Sequence, residues 1–150
     1  MQIEFLRDRA RAQAGQKVDA TPTVVVSATS STTIPFGALV VQDDTDAFLC
    51  KPPNNKAHIE KPIGISLRQF HTQYYEPKSS IPVMRKGRVW VESEKVSAPG
   101  DAVYVRLSED GAAKFTGEKK DTIRLFGAIF LEKSEGGLTP IEVNFFGGVQ

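Results

Sequence analysis

One cysteine, two histidines and one tryptophan in 150 residues leave little material for metal, redox or nucleophilic chemistry. Cys50, being alone, cannot close an intrachain disulfide, so stability must come from burial or from association with other chains. A reducing, cytosolic site of synthesis suits that composition. His58 and His71 stand at no recognisable ligand spacing from each other, from Cys50 or from a carboxylate, and no metal site is expected. G-x-S-x-G, a glycine-rich phosphate loop and H-E-x-x-H are all missing. Net charge is nearly absent as well: 19 Lys and Arg against 18 Asp and Glu leave +1, which argues against nucleic-acid binding through bulk charge. No apolar run is long enough for a membrane span, and the opening stretch MQIEFLRDRARAQAG, with Arg7, Arg9 and Arg11, does not read as a signal peptide.

What is present is a period of two. From Ile81 to Leu107, Val83, Val89, Val91, Val103 and Val105 recur at alternate positions among polar neighbours, the pattern of strands with one buried face. The stretch predicts three short strands, with turns at Lys86-Gly87-Arg88 and at Ala98-Pro99-Gly100-Asp101. Trp90, between Val89 and Val91, faces the other way and is expected to cover the second side of the sheet or to meet a partner.

The length suits one domain with a real core. Glu4 to Gln16 predicts a short helix favoured by Ala10, Ala12 and Ala14 and ended by Gly15. After Pro22, Val24 to Val26 have strand propensity, but Ser27 to Thr33 is small and polar, so residues 1–33 read as an extended arm able to pair with a neighbouring molecule's sheet edge, or as a flexible leader. Residues 34–150 read as the β-rich body. Pro35-Phe36-Gly37 turns into a strand at Ala38 to Val41, with Phe48 to Lys51 as its hairpin partner beyond Asp43, Asp44 and Asp46. Ile63, Ile65 and Leu67 form another strand, in which Gly64 marks a bulge or a close packing point. His71 to Ser80, with Tyr74 and Tyr75, reads as a surface loop.

Beyond the central stretch, Ser108-Glu109-Asp110-Gly111 turns the chain into a strand at Ala112 to Thr116. Ile123 to Phe130 is apolar on both sides and predicts a buried or central strand. Gly136-Gly137 leads into the last strand, Pro140 to Phe146. The fold class is therefore all-β, a compact barrel or sandwich of short antiparallel strands.

Candidate chemistry is thin. Cys50 reads as a small packed hydrophobe, and the acid pairs Asp43-Asp44 and Glu109-Asp110 lie at turns, where carboxylates solvate and bond local backbone. Arg85, Lys86 and Arg88 beside Trp90 suggest either a nucleic-acid platform or a solvated corner next to a packed tryptophan, and the second reading is preferred.

Four blocks in order carry a family resemblance. They are Ala14-Gly15-Gln16 with Asp19 and Pro22; Ile34-Pro35-Phe36-Gly37-Ala38-Leu39-Val40-Val41; Val83 to Val91 continuing into Ala98 to Arg106; and Gly136-Gly137-Leu138 leading to Ile141-Glu142-Val143-Asn144. Together they resemble the structural cement, or head decoration, proteins of tailed bacteriophages. The loop Gly117 to Asp121 departs from that pattern, being rich in lysine and glutamate where the family has small residues. The resemblance implies a protein that is not an enzyme and has no cofactor. It would bind the outside of an assembled capsid in the virion, bridge neighbouring major capsid proteins and assemble as a homotrimer, with no membrane and no direct nucleic-acid partner. The residues expected to meet the shell are Thr23, Val24, Val25, Val26, Ser27 and Thr29 of the arm, Tyr74 and Tyr75, and the basic corner Arg85, Lys86 and Arg88. A β-barrel nucleic-acid-binding module is the alternative function.

Overall fold

The computed structural model describes residues 13–19, 22–46, 49–69, 74–107 and 113–145. Eleven strands and one short helix lie among them: β1 Val24–Ser30, β2 Ile34–Pro35, β3 Leu39–Gln42, β4 Leu49–Lys51, α1 Lys56–Glu60, β5 Pro62–Ser66, β6 Tyr74–Tyr75, β7 Ser80–Ser93, β8 Ala102–Leu107, β9 Ala113–Thr116, β10 Ile123–Phe130 and β11 Gly137–Asn144. The all-β expectation holds, and the sheet closes as a barrel does.

Its closure is double, and β7 is the strand that both closures share. On one side β7 pairs with β5, β5 with β3, β3 with β4, and β4 with β1, which returns to β7. On the other side β7 pairs with β11, β11 with β10, β10 with β8, and β8 with β9, which returns to β7 at Ser93 opposite Phe115. Closing a sheet on itself removes the unpaired edges that invite aggregation. A core cluster follows each ring. The smaller holds Ile34, Phe36, Val40, Cys50, Tyr75, Ile81 and Val83. The larger is built on Val89, Val91, Val103, Phe115, Leu125, Phe130 and Ile141, and reaches back to Leu39, Ile65 and Met84.

The central stretch is where expectation and structure part. Ser80 to Ser93 is one strand of 14 residues, so Lys86-Gly87-Arg88 is not a turn. Gly87 sits in the ladder opposite Val143. Its φ of +141° disfavours any other residue, and a Cβ there would stand 2.6 Å from Thr23 Cγ2. Glycine thus allows a close approach inside the strand, and next to it the register against β1 shifts between Met84 and Lys86. Ile81 and Val83 enter the smaller cluster, whereas Val89 and Val91 enter the larger one together with Met84. The second expected turn is present: Ala98 N–H donates to Asp101 Oδ2 at 2.9 Å and Asp101 N–H to the Ala98 carbonyl at 3.3 Å.

β10 also departs from its expected burial. It lies between β11 and β8, but Phe126 and Ile129 are 59% and 39% exposed. Leu125 is buried before Gly127 and Ala128 and Phe130 after it, so the inward parity changes. Gly127, at φ +91°, makes that bulge, because a Cβ would lie 2.6 Å from the Asn144 carbonyl oxygen. Gly64 is a close packing point, with Met84 O 2.2 Å from where a Cβ would be.

Tyr74 and Tyr75 are not simply loop residues but pair as β6 with Ile34–Pro35. The helix α1 has no counterpart in the sequence reading; Asn55 caps it by accepting the His58 N–H at 2.9 Å. Within the expected arm, Val24–Ser30 is a strand of the barrel, antiparallel to β7. The helix expected at Glu4 to Gln16 lies mostly outside the described residues, as do His71, Glu109 and Asp110.

Candidate interaction surface

Pairing of β1 with β7 gathers most of the expected contact residues. Val24 is opposite Lys86 and Val25 opposite Met84, with a register shift between them, and Thr23 packs over Gly87. Val24, Val25, Ser27 and Lys86 are exposed, while Thr23, Thr29 and Arg85 are half-buried. Val26, also half-buried, turns inward against the smaller cluster.

Arg88 is engaged within the chain. Its Nε donates to Glu142 Oε1 and its Nη1 to Asp19 Oδ2, each at 3.1 Å, and these bonds raise the affinity of the guanidinium for its proton, Glu142 most. The pair ties the leader to β7 and β11. With two carboxylates already on Arg88, the basic corner is weaker as a phosphate-binding surface than its composition suggests.

The two tyrosines do different work. Tyr75 is buried, its hydroxyl donates to the Leu67 carbonyl, and its ring meets Phe36 edge-on with centroids 5.1 Å apart. Burial pushes its pKa up to about 12. Tyr74 is 47% exposed and pairs with Pro35 in the two-stranded ladder of β2 and β6, apart from the β1–β7 pairing.

Two exposed apolar side chains were not among the expected contacts. Phe126 and Ile129 project from the outer face of β10, and the Arg124 guanidinium stands 4.8 Å from the Phe126 ring centroid. Beside Phe126 is an open cleft shared with Lys61, Pro62, Ile63, Arg85 and Phe145. The signal in the sequence was the apolar run on both sides of Gly127, read there as burial.

Several titratable residues are committed to structure. Asp44 accepts from Lys51 Nζ and pairs with His58 Nε2, both at 2.6 Å, and these partners hold its carboxyl below the usual range, Lys51 first. Asn54 N–H donates to His58 Nδ1 at 3.2 Å, which leaves Nε2 to donate to Asp44. Asp43 accepts from the Thr45 hydroxyl at 2.8 Å and from its N–H at 3.1 Å, the local turn bonding expected of it. Cys50 is fully buried and its thiol is pushed up to about 11 by that burial, so it stays protonated at neutral pH.

The described residues thus form a β body in which Asp43, Asp44, His58 and Arg88 are tied into the structure and the exposed apolar residues lie on strand faces and edges. Over residues 1–144 the sequence matches the family described as structural cement protein (E217 gp24/Pam3 gp6), and the chain belongs to that family. That family serves as a structural component of phage capsids, associated with capsid proteins in the virion, and is not a class of enzymes. Among solved structures, a chain from "The capsid of Myoviridae Phage XM1" shares the fold, with a TM-score of 0.65 and 19% identity over 89% of this chain and 91% of that one. No curated protein matches the sequence.

Proposed function

We propose that this protein binds the outer surface of an assembled phage head and stabilises the shell by bridging neighbouring major capsid proteins. The observation that carries the reading, given the family, is the set of large apolar side chains exposed on the β body among the described residues: Val24, Val25, Tyr74, Phe126 and Ile129. These residues lie on β1 and β10 of the two rings and on β6 of the separate two-stranded ladder. A protein that binds only the assembled shell stabilises it by mass action, about 2.7 kcal/mol per site at a free concentration one hundred times the dissociation constant. Many copies on one head multiply that small term. Assembly as a homotrimer and the absence of direct nucleic-acid contact belong to the same reading. So does a contact role for the segment before β1.

Incubation with expanded, undecorated heads and counting of bound copies tests it. Saturable binding and a raised head-disruption temperature are expected; binding that fails to saturate overturns the reading. A salt series separates it from nucleic-acid binding, which weakens steeply with ionic strength.

A further inference from the structure

The smaller ring is not closed along its whole length. β1 meets β7 from Val24 to Thr29, but its other side pairs with β4 only at Thr29 and Ser30. From Val24 to Ala28 that side has no strand partner among the described residues. The ladder fixes which backbone groups face it. Pro82, opposite Ser27, has no N–H, and its carbonyl accepts from Leu67 N–H at 2.9 Å on the β5 side of β7. Ser27 and Pro82 are therefore a non-hydrogen-bonded pair, and the N–H and C=O of Ser27 point away from β7. Ser30 N–H donating to the Ser79 carbonyl at 2.9 Å, and Ser31 N–H to Cys50 O at 2.9 Å on the opposite side, agree with that phase. The same alternation turns the backbone of Val25 outward. Two donors and two acceptors thus lie along an exposed edge.

Such edges are ordinarily blunted by lysine, proline or an inward charge. The segment VVVSATS has none of these. Unpaired backbone groups of this kind are matched by one sort of partner, an extended chain that adds itself as a strand. Lys86, exposed and opposite Val24, gives that partner a charge preference at one end.

We propose that the outer edge of β1 at Val25–Ser27 accepts an extended segment of the shell protein as an added strand, with a carboxylate of that segment meeting Lys86. The inference rests on the reading of the protein as a capsid-binding one. A second copy of β1 is the less suitable occupant, because VVVSATS brings no carboxylate to Lys86.

The test measures binding isotherms on undecorated heads for the full chain, Ser27→Pro and Lys86→Glu. Ser27→Pro removes an outward donor and leaves the bonds to β7 in place, so the melting temperature should stay near that of the unsubstituted chain. Head binding should fall at least about tenfold, the loss expected when a docking hydrogen bond is removed and its partner left unpaired. Lys86→Glu should weaken binding as well. Should Ser27→Pro fail to fold, Ser27→Lys, which places a blunting charge on the same edge, decides the matter by the same measurement. Unchanged head binding by a folded edge variant overturns the proposal. Failure of the unsubstituted chain to bind heads overturns the functional reading instead. Sedimentation of the protein alone that shows a dimer lost in the edge variant assigns the edge to a second copy and also overturns it.

Discussion

The two rings that share β7 differ in how much apolar burial holds each together. The ring of β7, β11, β10, β8 and β9 encloses the larger apolar cluster, with Phe130, Leu125 and Ile141 fully buried. The ring of β1, β4, β3, β5 and β7 has shorter strands and a smaller cluster, so its buried hydroxyls bonded to backbone, a feature the larger ring shares at Thr116 and Thr139, weigh more in it. Ser66 Oγ donates to the Pro35 carbonyl at 2.7 Å and accepts the Ala38 N–H at 3.0 Å. Ser30 Oγ donates to Glu76 O at 2.8 Å, and Tyr75 reaches Leu67 O. Apolar burial scales with area and tolerates imperfect geometry, whereas hydrogen-bonded joints fail when one partner is removed. The larger ring is therefore read as the anchor, and the smaller ring, which carries the open edge of β1, as the part whose geometry is set bond by bond.

The largest expected effect is in the larger ring. Phe130→Ala should cost about 3–5 kcal/mol, the loss of a fully buried aromatic plus the cavity left behind. Urea denaturation followed by Trp90 fluorescence measures it. A cost under about 1 kcal/mol would contradict the assignment of this ring as anchor.

Gly87→Val attacks the shared strand, and so both rings. A β-branched residue at φ +141° against Thr23 should cost about 3 kcal/mol, near the top of the range for backbone strain. Thermal unfolding should show one transition shifted down as a whole, because β7 belongs to both closures. Two separated transitions would show that the rings unfold independently.

Ser66→Ala probes the smaller ring. Removing the hydroxyl leaves Ala38 N–H and Pro35 C=O without this partner, for an expected loss of about 1–2 kcal/mol. A cost equal to that of Phe130→Ala would erase the distinction between the rings.

How far these features were legible beforehand depends on their range. Alternation is local, so Val103 and Val105, Ile63 and Ile65, and Ile141 and Val143 announced their strands, and the all-β class followed. The pairing of Val24–Val26 with Val83–Lys86 is made across nearly sixty residues, and a window containing a polar serine-threonine run gives no hint of it. Gly87 was misread because Lys-Gly-Arg has turn composition, while what the residue supplies is space for Thr23 and a φ change inside a strand. At β10 the apolar run was real, but one bulge at Gly127 decided which members faced water. The contact candidates divide on the same ground: Val24, Val25, Ser27, Tyr74 and Lys86 are exposed, Tyr75 is buried, and Arg88 is bound by Asp19 and Glu142. Whether a strand residue faces in or out is set by phase, and phase depends on bulges that composition does not reveal.

The smallest effect at neutral pH, and the most selective, is alkaline. Among the described residues, both groups whose proton affinity is raised by burial belong to the smaller cluster: Cys50, from 9.0 to about 11, and Tyr75, from 10.0 to about 12. A group whose pKa is higher folded than unfolded holds its proton more tightly in the folded state. Its stabilising effect is whole below the unfolded value and is lost as pH rises through the folded one. For Cys50 that window is pH 9 to about 11, and two units correspond to at most about 3 kcal/mol. Stability measured from pH 8 to 11 should therefore fall more steeply for the unsubstituted chain than for Cys50→Ala, with the two curves parallel below pH 8.5. Lysine titration is common to both proteins and cancels in the difference. Native Cys50 should also react slowly with a thiol reagent at pH 8 and faster as pH climbs through the window, and Ser66→Ala should speed it more than a mild substitution in the larger cluster such as Ile141→Val. Equal acceleration by both variants would mean that the thiol is reached only by global unfolding, and that the smaller ring does not open on its own.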